Sequence, residues 1–325
     1  MTEAIVLAEL WRGPFLESVH MGDAVVCNAA GEIAQAWGNP DKTVLPRSSV
    51  KMIQALPLVE SGAADAAGLR SDHLALACAS HSGAPVHSGL ARDWVHGLGL
   101  SETDLRCGAH APWDSAARKD LLCSDDSPCQ FFNNCSGKHA GFLTWVQHAG
   151  AGPEYVDPDH PLQRTIKERF EDVTGQASPG FGIDGCSAPN FASSLHGIAR
   201  AMARFAVDRD GAKARLVDAM AKHPLLVAGQ GRACTELMLA MDGRAVVKTG
   251  AEGVYIAILP EKGLGVALKA ADGATRAAEC AIAAILVKLG ALDPAHPAAI
   301  KRMAPVDTNW RGIETGYTRP GPALR

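Results

Sequence analysis

Strand-like segments lie near the two ends of this chain and almost nowhere between them, and that distribution limits the folds open to it. Near the N-terminus, "DAVVCNAAGEIAQAWGN" gives an apolar run at Ala24–Cys27, a polar turn containing Gly31, and a second run ending at Trp37 before Gly38-Asn39-Pro40. Two short runs around a Gly-containing turn predict a hairpin. Strand character returns late, in "RAVVKTGAEGVYIAILPEKGLGVALKA", as three short segments with a turn at Pro260–Gly263. A helix capped by Asp272 or Thr275 is predicted next, over Arg276–Leu289. Residues 60–240 carry mostly helical spacing instead, as at His87–Leu98, Leu162–Asp172, Phe191–Phe205 and Ala212–Lys222. The expectation is an α+β fold: one antiparallel sheet built from both termini and flanked by helices, with a helical subdomain inserted. As one domain, residues 1–60 and 240–302 supply the sheet and its helices, and 61–239 the mainly helical insertion. The Pro- and Gly-rich tail, 303–325, is expected to wrap the surface.

Composition narrows the function. Hydrophobic residues make up 47% of the 325 and charged ones 20%, enough for a substantial core. The formal net charge is −4 and no basic run stands out, so neither nucleic acid nor an anionic membrane is an expected partner. The longest wholly apolar run, near Cys280–Val287, is too short to span a bilayer. The opening "MTEAIVLAELWRG" lacks the basic-then-apolar order of a signal peptide. With nine cysteines, an odd number, the expectation is reduced thiols in the cytoplasm.

"LPRSSVKM" holds the first candidate for chemistry, Ser48-x-x-Lys51, where helical spacing changes the pattern. Residues i and i+3 share a helix face, so the serine and the lysine would be neighbours. A serine hydroxyl needs a base to become a nucleophile, and a lysine is a base only when burial or a nearby cation lowers its pKa. A helix N-terminus opposes a positive charge on Lys51 and offers N–H groups to an oxyanion. Ser49 has no lysine at i+3 and is left to cap or pack. Later, Lys248-Thr249-Gly250 falls on a predicted strand. Ser-x-x-Lys followed by Lys-Thr-Gly is the signature of the serine β-lactamase and penicillin-binding superfamily. There the glycine lets substrate lie against the backbone, and the next N–H, here that of Ala251, completes the oxyanion hole. Ser80-His81-Ser82 stands where that superfamily has Ser-x-Asn and departs from it at the third position.

Two Gly-containing loops form another cluster. "FFNNCSGKHAGF" holds Cys135, Lys138 and His139, and "GFGIDGCSAPNF" holds Asp184 and Cys186. Two thiolates from such loops could bind zinc, with a neutral lysine as an unusual third ligand. Two semi-buried cysteines in a capping network is the plainer reading of the spacing. His81 and His87 are possible ligands too, although loop histidines usually lie at the surface.

Taken together, "RSSVKMIQALPLV", "LACASHSG", "DLRCGAH", "NNCSGKHAGFL", "DGCSAPNF", "HPLLVAGQGRACT" and "VVKTGAEGVYIAI" resemble the Rhizobium etli-type L-asparaginase family over roughly residues 5–290. The resemblance implies a β-lactamase/glutaminase-like fold, a homodimer, and hydrolysis of L-asparagine to L-aspartate and ammonia. It implies two Ser-Lys tandems, Ser48/Lys51 and Ser80/Lys248, and a zinc site of Cys135, Lys138 and Cys186. On that footing Ser48 is the nucleophile and Lys51 its base, and Ser80 and Lys248 form a second pair that relays a proton. Arg47 is a candidate for the substrate carboxylate and Asp184 for its amino group, with His139 shared between metal and substrate networks. The zinc is expected to order its loops and tune substrate binding without activating water. A glutaminase, a β-lactamase or related serine hydrolase, and a non-catalytic amino-acid-binding protein are the competing classes.

Overall fold

The computed structural model describes residues 3–325. They form two compact units. One contains the N-terminal stretch ending at Ser49 together with Ser193–Val207 and Glu236–Arg325; the other contains Val50–Ala192 and Asp208–Thr235. The expected α+β class holds. The break falls at Ser49/Val50, and the helix Leu195–Val207 belongs with the sheet although its sequence position lies inside the helical middle.

The first unit is built on an antiparallel sheet whose strands run, from one edge to the other, Val306–Thr308, Glu314–Pro320, Ile5–Arg12, Phe15–Cys27, Leu264–Ala270, Val254–Leu259 and Val246–Thr249. Ile33–Trp37 pairs with the end of Phe15–Cys27, as the hairpin signature predicts. Every residue of Val254–Leu259 is buried, so both faces of the sheet are covered there. Helices Leu195–Val207 and Thr275–Lys288 pack on these central strands, each through an apolar stripe of Ala, Ile, Leu and similar residues. Neither Asp272 nor Thr275 caps the second helix: its N-cap is Ala274, while Asp272 accepts the Ala274 N–H and faces His20.

Gly265 sets the approach of the first of these helices. A Cβ there would stand 2.1 Å from Ala203 N and 2.3 Å from Ala199 O, so only glycine allows this contact. Gly265→Ala is therefore expected to cost about 1–3 kcal/mol by overpacking, read as a lower urea midpoint; an unchanged midpoint would mean that the helix stands off from the strand.

The tail supplies two strands at one edge of the sheet, and Glu314–Pro320 pairs with Ile5–Arg12. Its glycines make this possible, because a Cβ at Gly316 would meet Trp11 O at 2.4 Å and one at Gly321 would meet Val6 O. Tyr317 stacks on Trp11, and Arg319 lies over the same indole while pairing with Glu9 at 2.7 Å.

The second unit is mainly helical and is organised around Ser136–Ala149. Residues Ser136–Val146 of this helix are all buried, an all-round burial that fits its near-absence of a polar face. Small residues admit its neighbours: a Cβ on Gly137 would stand 2.4 Å from Leu76 O, and one on Gly141 would stand 3.2 Å from Leu58 Cδ2. Its first turn therefore presents Lys138 and His139 inside the unit. The helix ends at Gly150, whose φ of 63° is the left-handed stop that glycine adopts without strain. No helix of the described residues is long and apolar enough to cross a membrane.

Candidate active site

The strand Thr43–Val44 leads through Pro46 into a 3₁₀ turn, Arg47–Val50, and the short α-helix Lys51–Gln54 follows in sequence. Ser48 thus sits on the second residue of a tight turn, not at the start of a long helix. Arg47 has φ 53°, a left-handed conformation costing a non-glycine residue on the order of 1–3 kcal/mol. Ser49 explains how the turn is held. It is fully buried, and its hydroxyl donates to Pro46 O at 2.7 Å. Ser48 is half-buried beside it.

The Lys-Thr-Gly motif reaches the same place. A Cβ on Gly250 would meet Pro46 O at 2.5 Å and Ser49 N at 3.1 Å, so the strand end lies against the Ser48 turn. Gly250 N–H is spent on Val254 O, whereas the Ala251 N–H has no partner among the described residues. Lys248 is fully buried on the strand Val246–Thr249 and donates to Thr249 O at 2.8 Å.

Within the helical unit, Lys51 is fully buried, and its Nζ donates to two backbone carbonyls, Ala79 O at 2.5 Å and Asn134 O at 3.3 Å. These carbonyls adjoin both loops singled out in the sequence. Ser80 is buried and its N–H is bonded to Val227 O. His81 and His87 correct the surface expectation: both are fully buried, their rings stacked at 5.0 Å. His81 accepts Gly83 N–H on Nδ1 and so donates from Nε2 to Ser136 Oγ, which ties the Ser80 loop to the buried helix. Burial, then the adjacent His87, keeps His81 neutral well below the usual histidine range. Neither ring nitrogen is left for a metal.

The two cysteine loops do converge. Cys135, Lys138, His139 and Cys186 are all buried, with Lys138 Nζ 2.9 Å from Cys186 Sγ and 5.3 Å above the Phe142 ring. The neighbouring Cys135 thiol first, and then Lys138, hold Cys186 well below the ordinary thiol range against the opposing effect of burial. Burial disfavours charge on Lys138, but the Cys186 and Cys135 sulfurs outweigh it and raise its pKa. Cys107 adjoins this group electrostatically, and burial pushes its thiol up to about 12. Asp184 closes the turn Asp184–Ser187 and acts on Lys138 electrostatically. His139 was expected among the substrate ligands; it is fully buried, and its Nδ1 lies 2.9 Å from Tyr155 Oη. Among the described residues no three His, Cys, Asp or Glu side chains group as metal ligands. Two thiols and an amine are nevertheless a donor set that suits a borderline-soft cation.

Tyr155 and Cys107 were not singled out as candidates. "DLRCGAH" gave a hint of the second. A lone tyrosine in "AGPEYVDP" carries no signal of its role, because its partners Arg106 and His139 are distant in sequence.

Comparison with known proteins completes the picture. A β-lactamase from Mycobacterium bovis is similar at 14% identity and TM-score 0.47, over 82% of this chain and 94% of that one. Mglu in its native form is similar at 14% identity and TM-score 0.46, over 87% and 68%. A penicillin-binding protein homologue from Caulobacter crescentus is similar at 14% identity and TM-score 0.36, over 79% and 90%. A search of curated proteins returned no match. The family model for L-asparaginase II spans residues 8–320, from the first strand of the sheet to the last, and takes in every residue of the Ser48 turn, the Gly250 strand end and the cysteine loops. The chain therefore belongs to the L-asparaginase II family and is an amidohydrolase.

Proposed function

We propose that this amidohydrolase is an L-asparaginase that hydrolyses the side-chain amide of L-asparagine through an acyl-enzyme on Ser48. The observation that carries the reading is the seating of Gly250 on the Ser48 turn, which puts a substrate-accepting strand end beside a serine followed one turn later by a buried lysine. A neutral amine has two N–H groups and one lone pair. The carbonyls of Ala79 and Asn134 accept from Lys51 Nζ and hold it in place; in this reading the neutral amine takes the serine proton on its lone pair.

In the first half-reaction Ser48 Oγ attacks the amide carbon, and its proton passes to Lys51. The oxyanion is met by the N–H groups of Ala251 and Ser48. Ser80 and Lys248 form a second pair that passes a proton to the leaving nitrogen, and ammonia departs as the C–N bond breaks. Water then adds to the ester carbon, and the Ser48–carbon bond breaks to release L-aspartate. Arg47 receives the substrate carboxylate and Asp184 its ammonium group. Cys135, Lys138 and Cys186 would hold a zinc ion, with Lys138 as the neutral amine. Bound there, zinc would supply order to the two cysteine loops and tune the substrate pocket. A homodimer in the cytoplasm goes with this reading.

The test is ammonia release from L-asparagine and L-glutamine measured side by side. Faster turnover of asparagine is expected. The reverse preference would make the chain a glutaminase, since one methylene is worth only about 1–3 kcal/mol in a pocket. Tight asparagine binding without turnover would sink the catalytic reading.

A further inference from the structure

We propose that Lys269 is a positioning residue that holds the loop 250–253 in one shape, and with it the Ala251 N–H offered to the oxyanion; its catalytic consequence rests on the role given to Ala251 above. The loop joins the strands Val246–Thr249 and Val254–Leu259 within the sheet unit. Its first residue is tied on one side, since Gly250 N–H donates to Val254 O at 2.8 Å. Beyond Ala251 the backbone takes an uncommon course: Glu252 has φ 59° and Gly253 has φ 67°. Glycine adopts such angles freely, and a Cβ at Gly253 would stand only 2.8 Å from Ala270 Cβ. For a glutamate the left-handed region is unfavourable and persists only where the surroundings enforce it.

Lys269 is what enforces it. It lies half-buried near the end of the strand Leu264–Ala270, in register with Val254, the first residue after the loop. Its Nζ donates to Glu252 O at 2.7 Å and to Ala270 O. Ala270 N–H in turn donates to Gly253 O at 2.9 Å. A lysine usually carries its ammonium out to water. This one turns back onto two carbonyls and forms no salt bridge among the described residues, while nearby Lys42 pairs with Asp23 at 2.8 Å. An ammonium makes a stronger hydrogen bond to a carbonyl than a neutral donor does. Ala251 is therefore bracketed, with the residue before it fixed by Val254 O and the residue after it by Lys269. A donor held in place needs no reorganisation when charge develops on the substrate oxygen. Loosening it should lower kcat and leave substrate binding nearly unchanged.

NMR and kinetics on the full chain test this together. ¹⁵N relaxation is expected to give the Ala251 amide an order parameter of about 0.85 in the wild type and below about 0.6 in Lys269→Met. Lys269→Arg, which keeps a charged donor for the carbonyls, is expected to stay near wild type. Outright loss of an oxyanion donor lowers kcat about 10²–10³-fold, so loosening one is expected to lower it about 10-fold in Lys269→Met, with KM within about twofold and kcat restored in Lys269→Arg. A lysine with only a structural role would lower the urea midpoint and leave Ala251 order and kcat alone. Lys269→Gln, whose shorter amide leaves room for water, is expected to behave like the methionine variant and replaces it if that variant does not fold. An Ala251 amide that is mobile in the wild type, or still ordered in the variant that lacks the lysine, would overturn the proposal, as would a loss of kcat that the arginine variant does not restore. A loosened Ala251 with unchanged kcat would refute its oxyanion role and leave the loop tie standing. If the wild type does not turn over asparagine, the function reading fails and the relaxation data still decide the tie.

Discussion

Ser48→Ala is expected to abolish ammonia release from L-asparagine, with kcat falling on the order of 10⁴–10⁶-fold, as when the nucleophile of a serine hydrolase is removed. The fold should survive, because the turn does not depend on this side chain. Its hydroxyl tie is Ser49 to Pro46 O, and its close contact is with Gly250. Ser49→Ala makes the matched control: it removes a buried hydrogen bond worth about 1 kcal/mol and should lower the urea midpoint more than it lowers turnover. If Ser48→Ala retained activity near wild type, Ser48 would not be the nucleophile, and the adjacent Ser49 could not replace it without giving up the bond that holds the turn.

The second large effect is expected at Lys51. Lys51→Met keeps the length of a fully buried side chain but removes its lone pair, and kcat is expected to fall about 10²–10⁴-fold, the usual contribution of a general base. Stability changes through two opposing effects: Ala79 O and Asn134 O lose their donor at about 1–3 kcal/mol each, while the core no longer has to accommodate a buried amine. Lys51→Arg separates the base from the donor. A guanidinium can still bond the two carbonyls, yet it does not give up its proton in proteins. It is expected to be as inactive as the methionine variant, and turnover by the arginine variant at more than a tenth of the wild-type rate would show that Lys51 positions the site without serving as its base.

What could be read from the sequence, and what could not, follows from the range of the contacts. Ser48 and Lys51 are three residues apart, and glycine in Lys248-Thr249-Gly250 is a demand of close packing, so both left local traces. The hairpin at Ala24–Trp37 is local in the same sense. His81 and His87 looked like loop histidines because their burial comes from Ser136 and Leu225, far along the chain. Helix Leu195–Val207 has the apolar stripe of any packed helix; only Gly265 tells which surface it meets, and glycine in a strand has several other meanings. The tail read as loop for the same reason. Gly316 and Gly321 weaken strand propensity, and yet they are what lets that strand approach Trp11 and Val6. The convergence of Cys135 with Cys186 was suggested by the loops themselves, while Tyr155, 2.9 Å from His139 Nδ1, left no trace.

The pairing of Cys27 with Gly265 also has a consequence for how the molecule is made. A ribosome adds about 5–20 residues per second, so the strand Phe15–Cys27 waits roughly 10–50 s for the partner it needs on one side. Its other neighbour, Ile5–Arg12, is available at once but has to wait longer still for Glu314–Pro320. Through that interval the nascent chain carries an apolar hairpin with open hydrogen-bonding edges on both sides, the kind of surface that attracts other strands. Val25 and Val26, wholly hidden in the finished sheet, are among the residues exposed through that interval.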